Sequence, residues 1–468
     1  MLLAALAGGC ATVSVPVTGR SGQGATAQSD QSETALSVSN FWGRSILTAT
    51  YNDTTDTAST ILYSSSTSTV RKGASLLGWS YSTDAGTTWT YGGKVAPPEG
   101  WPVLWGTPAI TRSEFNQRYV FISNLAIPSK KFPASGASGP LTTYMGGACI
   151  VRSTDGGMTF QHHQCLHNDY DFYDGGSMAA GPGREIYAAY VDVPHNQVDV
   201  WMSLTENDTF SKLPNPFPGQ EMWSHPRLRM DNASGALYVA AQRQNGDVLI
   251  NRYANGKWHT PVVAGTAELY PQVKLSDRYL RTGPQFSFDV ATVSVHENDA
   301  IRFLYTARDS ASGRLYLRGA FCPRDLTPGC YDAPEWGTTP GNVDVAGDQF
   351  NPSVRAFPGF VGLNPVWKAS YLSRQADPDG NTVSVLQGNL AVSPDGVRVF
   401  PTAVIVARLL VCPDERGYWG DYDDMQLAGF GDAGAARFIR TFSDSSQGCV
   451  QRWQYTSHHV HVSSGSLQ

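Results

Sequence analysis

Seven times along the chain, an alternating apolar and polar run of strand-forming residues ends on polar side chains. The runs are 46–53, 119–124, 186–192, 237–243, 301–308, 366–374 and 438–444. A period of two is the mark of a half-buried strand. A shorter strand-like segment precedes each run, at 34–39, 108–112, 177–180, 226–230, 285–290, 352–357 and 425–430. The units recur roughly every 50 to 75 residues, too long for one hairpin and right for a sheet of about four strands. Seven such units stacked around an axis would close a ring and leave no long free edge. The pattern therefore predicts an all-β chain, a seven-bladed β-propeller.

A turn recurs at one phase of these units. Ser153-Thr-Asp155-Gly-Gly157-Met-Thr159-Phe160 follows a strand-like run, and Ser82-Thr-Asp84-Ala-Gly86-Thr-Thr88-Trp89 is a close copy. Worn copies stand at Ser203 to Phe210 and Ser393 to Phe400. Asp and Ser side chains can accept hydrogen bonds from turn amides, and Gly can take a positive φ. The preferred reading of Asp84 and Asp155 is therefore structural.

This Ser-x-Asp-x-Gly-x-Thr-Trp/Phe pattern resembles the Asp-box repeat of the sialidase-like β-propellers. The resemblance implies that the turns lie on the face away from the ligand site. Sialidases usually have six blades, so the resemblance implies a six-bladed form as the alternative to seven, and their Phe/Tyr-Arg-Ile-Pro motif is missing here. Glu33 and Arg44 stand in the first unit in another context.

Charged residues are few, at 16% of the 468, while aromatics reach 11% and Gly numbers 47. That suits a turn-rich β protein. A formal net charge of −6 argues against nucleic acid or an anionic membrane face as partner. Residues 1–10 resemble the end of a lipoprotein signal, with Ala7-Gly8-Gly9-Cys10 as the cleavage box and Cys10 as the lipidated residue. Residues 11–31, rich in Ser, Thr, Gly and Gln, read as a tether, and 32–468 as the propeller. The membrane would be met only through that lipid. Six cysteines remain, and one of their fifteen pairings joins Cys149 to Cys165, Cys322 to Cys330 and Cys412 to Cys449. Disulfides imply an oxidising compartment, and so an exported protein.

The segments entering each inner strand carry aromatic rings among carboxylates and amides. Among them are Trp105, Asp174, Trp223, His225, Asn351, Trp419 and Asp421. Rings to stack on and acceptors for hydroxyls are what sugar recognition needs, although any one Trp also fits packing between blades. Arg243, Arg308 and Arg374 end the same strand in three successive units and could form a clamp for an anionic sugar. The sialidase resemblance implies a Tyr nucleophile and an Asp acid, for which Tyr422 (or Tyr418) and Asp53 or Asp192 are the candidates. The run Asp421 to Asp424 could offer oxygens to Ca²⁺ without an EF-hand loop. No other metal or cofactor is expected. Two functions compete: a surface module that binds a glycan or a protein over the axis, and a sialidase-type exo-glycosidase.

Overall fold

The computed structural model describes residues 13–16, 31–41, 43–53, 61–63, 68–71, 75–101, 103–128, 138–140, 146–166, 173–269, 271–274, 279–281, 286–291, 300–333, 347–357, 366–374, 382–390, 404–410, 425–430, 436–444 and 459–466. The chain is all-β. Its first sheet runs Gln31–Phe41, Arg44–Asp53, Leu77–Ser82 and Thr90–Lys94, each strand antiparallel to the last. The second runs Val103–Arg112, Val120–Ile127, Ala148–Ser153 and Gln161–Leu166. The same meander recurs from Tyr173–Ala180, Met222–Asp231, Phe286–Val290, Gln349–Phe357 and Met425–Phe430. In the last sheet Val13–Pro16, inside the stretch read as a tether, pairs with His459–Ser466 as the outermost strand.

Each of these first strands lies beside the first strand of the next sheet, and Met425–Phe430 lies beside Gln31–Phe41. That ring of innermost strands is the β-propeller arrangement. Both strands expected of each unit are present, in the expected order. Two smaller additions were not expected. Ile61–Tyr63, Ser68–Arg71 and Ser138–Pro140 form a separate sheet, and Gln272–Lys274 pairs with Tyr279–Arg281.

Burial follows the layers. Ala179, Val191, Val200 and Leu213 of the third sheet pack on Leu228, Leu237, Val239 and Leu249 of the fourth. Tyr238 and Ile250 pack on Phe286, Phe288 and Phe303 across the next gap. Fully burying one such side chain contributes about 1.5–3 kcal/mol. An innermost strand has no ladder partner on its axial side, so its amides need other acceptors. Leu228 N donates to Ser177 Oγ (2.9 Å), Val354 N to Ser287 Oγ (3.2 Å) and Ala356 N to Asp289 Oδ2 (2.8 Å). Short polar side chains of one sheet thus stitch the next to it.

The strong turns close the outer pair of strands. In the second sheet, Asp155 accepts from the Ser153 hydroxyl (2.7 Å), from the amides of Met158 (3.0 Å) and Thr159 (2.9 Å), and from the Thr159 hydroxyl (2.6 Å). Ser153 Oγ in turn accepts from Gly157 N (2.8 Å). The turn at Ser82 repeats this, with Trp89 Nε1 donating back to Gly86 O (3.2 Å). Burial pushes Asp84 and Asp155 up, but these bonds outweigh it and hold both below the usual carboxylate range. In the worn copy Thr205 replaces the Asp. The Ser203 hydroxyl there donates to carbonyls, Thr205 O (2.7 Å) and Asp208 O (2.9 Å). The copy at 393–400 lies outside the described residues.

Cys149 faces Cys165 across the ladder of this hairpin, and the two are bonded. Cys322 and Cys330 are bonded as well. Cys412 and Cys449 lie outside the described residues. No helix among the described residues is long and apolar enough to cross a membrane.

Candidate functional site

The meander fixes two faces. The first sheet's inner strand ends at Phe41 and its second begins at Arg44, on the side of the Ser82 turn. A pocket of about 300 Å³ there is lined by Phe41, Arg44, Ile46, Thr83 and Met158. The other face holds Gln31 opposite Asp53 and Tyr173 opposite Asp192, where inner strands begin and second strands end. This second face is the mouth of the axis.

The segments read as entering loops are instead the bulged starts of the innermost strands. Register shifts fall between Ser32 and Ala35, Leu104 and Ala109, Asp174 and Ser177, Met222 and Arg227, and Phe350 and Ser353. Thr107 (φ 56°), Gly175 (φ 60°) and Asn351 (φ 51°) take the left-handed conformation at equivalent points. A bulge inserts residues that the partner strand does not match, and it turns backbone and side chains out of the ladder. The bulge amides are held by side chains: Thr107 N donates to Asn52 Oδ1 (3.0 Å) and Gly106 N to Asn124 Oδ1 (3.3 Å). A sequence signal for this existed. Thr107-Pro108, His225-Pro226 and Asn351-Pro352 repeat at one phase, and Pro inside a strand is confined to edges and bulges.

At the mouth, the third and fourth sheets bring several exposed groups onto adjoining strands. Asp192 is fully buried at the end of Ile186–Asp192. Its Oδ2 lies 2.6 Å from Nδ1 of His195, whose side chain is half exposed on the short 3₁₀ turn Val193–His195. A turn of three residues per revolution places positions i and i+3 on one side. Asn196 leaves that turn in the left-handed conformation, and its carbonyl accepts from Met222 N (2.7 Å). Trp223 follows immediately, 41% exposed. Exposed Asp174, one ladder position from the Tyr173–Asp192 pair, accepts from Gly175 N (2.8 Å). Beneath them Tyr173 stacks on Tyr190 and donates to Asp199 Oδ2 (3.0 Å), which also meets Lys212 Nζ at 2.5 Å. Burial pushes Asp199 up against the pull of Lys212 and Tyr173, and the Asp192 charge adds to that rise.

The remaining expected residues are dispersed. Asp53 is fully buried and accepts from Tyr91 OH (2.8 Å). Trp105 packs against the core between the second and third sheets, and Asn351 is buried at its bulge. His225 lies in the bulge of Met222–Asp231. Arg243 meets Asp247 Oδ2 at 3.4 Å. Arg308 donates to Glu268 Oε1 (2.9 Å) and to Gly313 O (2.7 Å). Arg374 donates its backbone N–H to Asp348 O (2.9 Å). Tyr418, Trp419, Asp421, Tyr422, Asp423, Asp424 and Cys10 lie outside the described residues. Among the described residues no group of three or more His, Cys, Asp or Glu could hold a metal ion. His195 was missed because one imidazole on a short turn carries no periodic signal, although the spacing Asp192-x-x-His195 after a strand end was there to read.

The fold and its mouth define a β-propeller with polar and aromatic groups at one end of its axis. No protein-family profile matches the sequence, and no curated protein does either. Among solved structures, the chain is similar to a protein of unknown function from Dyadobacter fermentans DSM 18053. The identity is 10% and the TM-score 0.44, over 97% of this chain and 98% of that one. It is similar to the intramolecular trans-sialidase of Ruminococcus gnavus at 10% identity and TM-score 0.42, over 75% of this chain and 91% of that one. It is also similar to the six-bladed Aleuria aurantia lectin at 8% identity and TM-score 0.37, over 80% and 96%. At these scores the fold rests on the sheet order itself.

Proposed function

We propose that this is an exported β-propeller, anchored through a lipid on Cys10, that binds an extracellular glycan over the mouth of its axis. The observation that carries the reading is the exposed Trp223 indole next to the turn of His195, with Asp174 on the adjoining strand. An exposed ring supplies a face for the C–H groups of a sugar, and the carboxylate accepts from its hydroxyls. The Ser82 and Ser153 turns, which resemble Asp-boxes, support a sialidase-like scaffold with its ligand on the opposite face. A sialidase-type hydrolase built on Arg243, Arg308 and Arg374 is the weaker reading, because Arg243 and Arg308 already face Asp247 and Glu268. Two assays on the purified chain separate these functions. A printed glycan array should give signals that Trp223→Ala abolishes, and a fluorogenic sialoside should not turn over. Turnover that collapses in Arg308→Ala would reverse the order of the two readings. An empty array would remove the glycan reading.

A further inference from the structure

The Asp192–His195 pair belongs to no turn-closing pattern, and the His195 side chain is half exposed. A buried carboxylate can only accept, so the 2.6 Å contact places the proton on Nδ1 of the imidazole. Nε2 then carries a lone pair, and among the described residues it has no protein partner. On the basis of the glycan reading above, we infer that His195 Nε2 is the residue that selects the sugar: it accepts a hydrogen bond from a hydroxyl of a ligand stacked on Trp223, in an orientation fixed by Asp192.

The surroundings narrow the ligand class. Near the turn of His195 stand Asp192 at the end of the preceding strand, Asp174 one ladder position from it on the innermost strand of the third sheet, and the exposed Glu221 next to the Met222 that bonds Asn196. Arg243, opposite Met222 in the ladder, is met by Asp247. Asp199 is met by Lys212 below. Such a lip suits a neutral sugar that donates several hydroxyl hydrogens, such as one with a vicinal diol.

The test takes neutral glycosides that score on the array. It measures their affinity for wild type, His195→Ala, Asp192→Asn and Trp223→Ala. The loss of one hydrogen bond predicts an affinity about three- to tenfold lower for His195→Ala than for wild type. Asp192→Asn should lie between. On ¹⁵N-histidine-labelled protein, the His195 Nε2 resonance should move on addition of the glycoside, and should not move in Trp223→Ala. Trp223-dependent binding that His195→Ala leaves intact would overturn this inference alone. Absence of any glycan binding would overturn it together with the reading on which it rests.

Discussion

Two aspartates, Asp155 and Asp192, show what separates a scaffold carboxylate from one that equips a site. Asp155 accepts four hydrogen bonds, all from residues 153 to 159 of its own turn. The turn also docks on the neighbouring sheet, where Ser39 Oγ donates to Gly156 O (2.7 Å). Asp192 is more deeply buried, yet it holds an imidazole that reaches solvent. A carboxylate whose lone pairs go to its own loop orders that loop. One that orients a half-exposed titratable ring hands the outside a group of fixed geometry. Burial alone would have ranked the two the other way.

The contrast breaks most visibly at Gly157. Its φ is +104°, and a Cβ there would sit 2.0 Å from Thr48 Oγ1 of the first sheet. Gly157→Ala should cost about 3 kcal/mol or more in denaturant unfolding, by strain and overlap together. Opening Cys149–Cys165 by a double Ser replacement, across a separation of 16 residues, should cost about 3 kcal/mol in the same assay. Asp155→Ala comes next, at about 2 kcal/mol for bonds to a charged acceptor, with glycan binding unchanged. At the mouth, stability and binding should part. Trp223→Ala should stay within about 0.5 kcal/mol of wild type, as exposed positions do, while its glycan signal disappears.

Acid sharpens the same comparison. Asp84 and Asp155 have lowered values when folded, so the stability they add is complete above the unfolded carboxylate value of about 4 and is lost as pH falls through their folded values. Unfolding midpoints of wild type should fall more steeply below about pH 4 than those of Asp155→Ala. A common slope would remove Asp155 from the account of acid stability.

The paired strands of the seven units were legible because a period of two survives wherever one face is buried. Ile186–Asp192 and Ala236–Arg243 stand where the pattern placed them. The mouth was half legible. Trp105, Asp174, Trp223 and Asn351 were taken for loop residues, because a bulge breaks the alternation that marks a strand. Arg243 and Arg308 do end equivalent strands, but a strand pattern does not say which local carboxylate a long side chain will meet. Asp247 lies four residues beyond Arg243, and Glu268 precedes Arg308 in the chain. His195 depended on a single turn of backbone, below the reach of any repeat.

Hydrogen exchange locates the site most directly. The amides of the chain would be compared with and without a neutral glycoside drawn from the array. The account predicts slowed exchange at 192–197 and 221–224, with no change at 153–160. Protection confined to the turn face, around Phe41, Arg44, Thr83 and Met158, would contradict it and move the ligand to the other end of the axis.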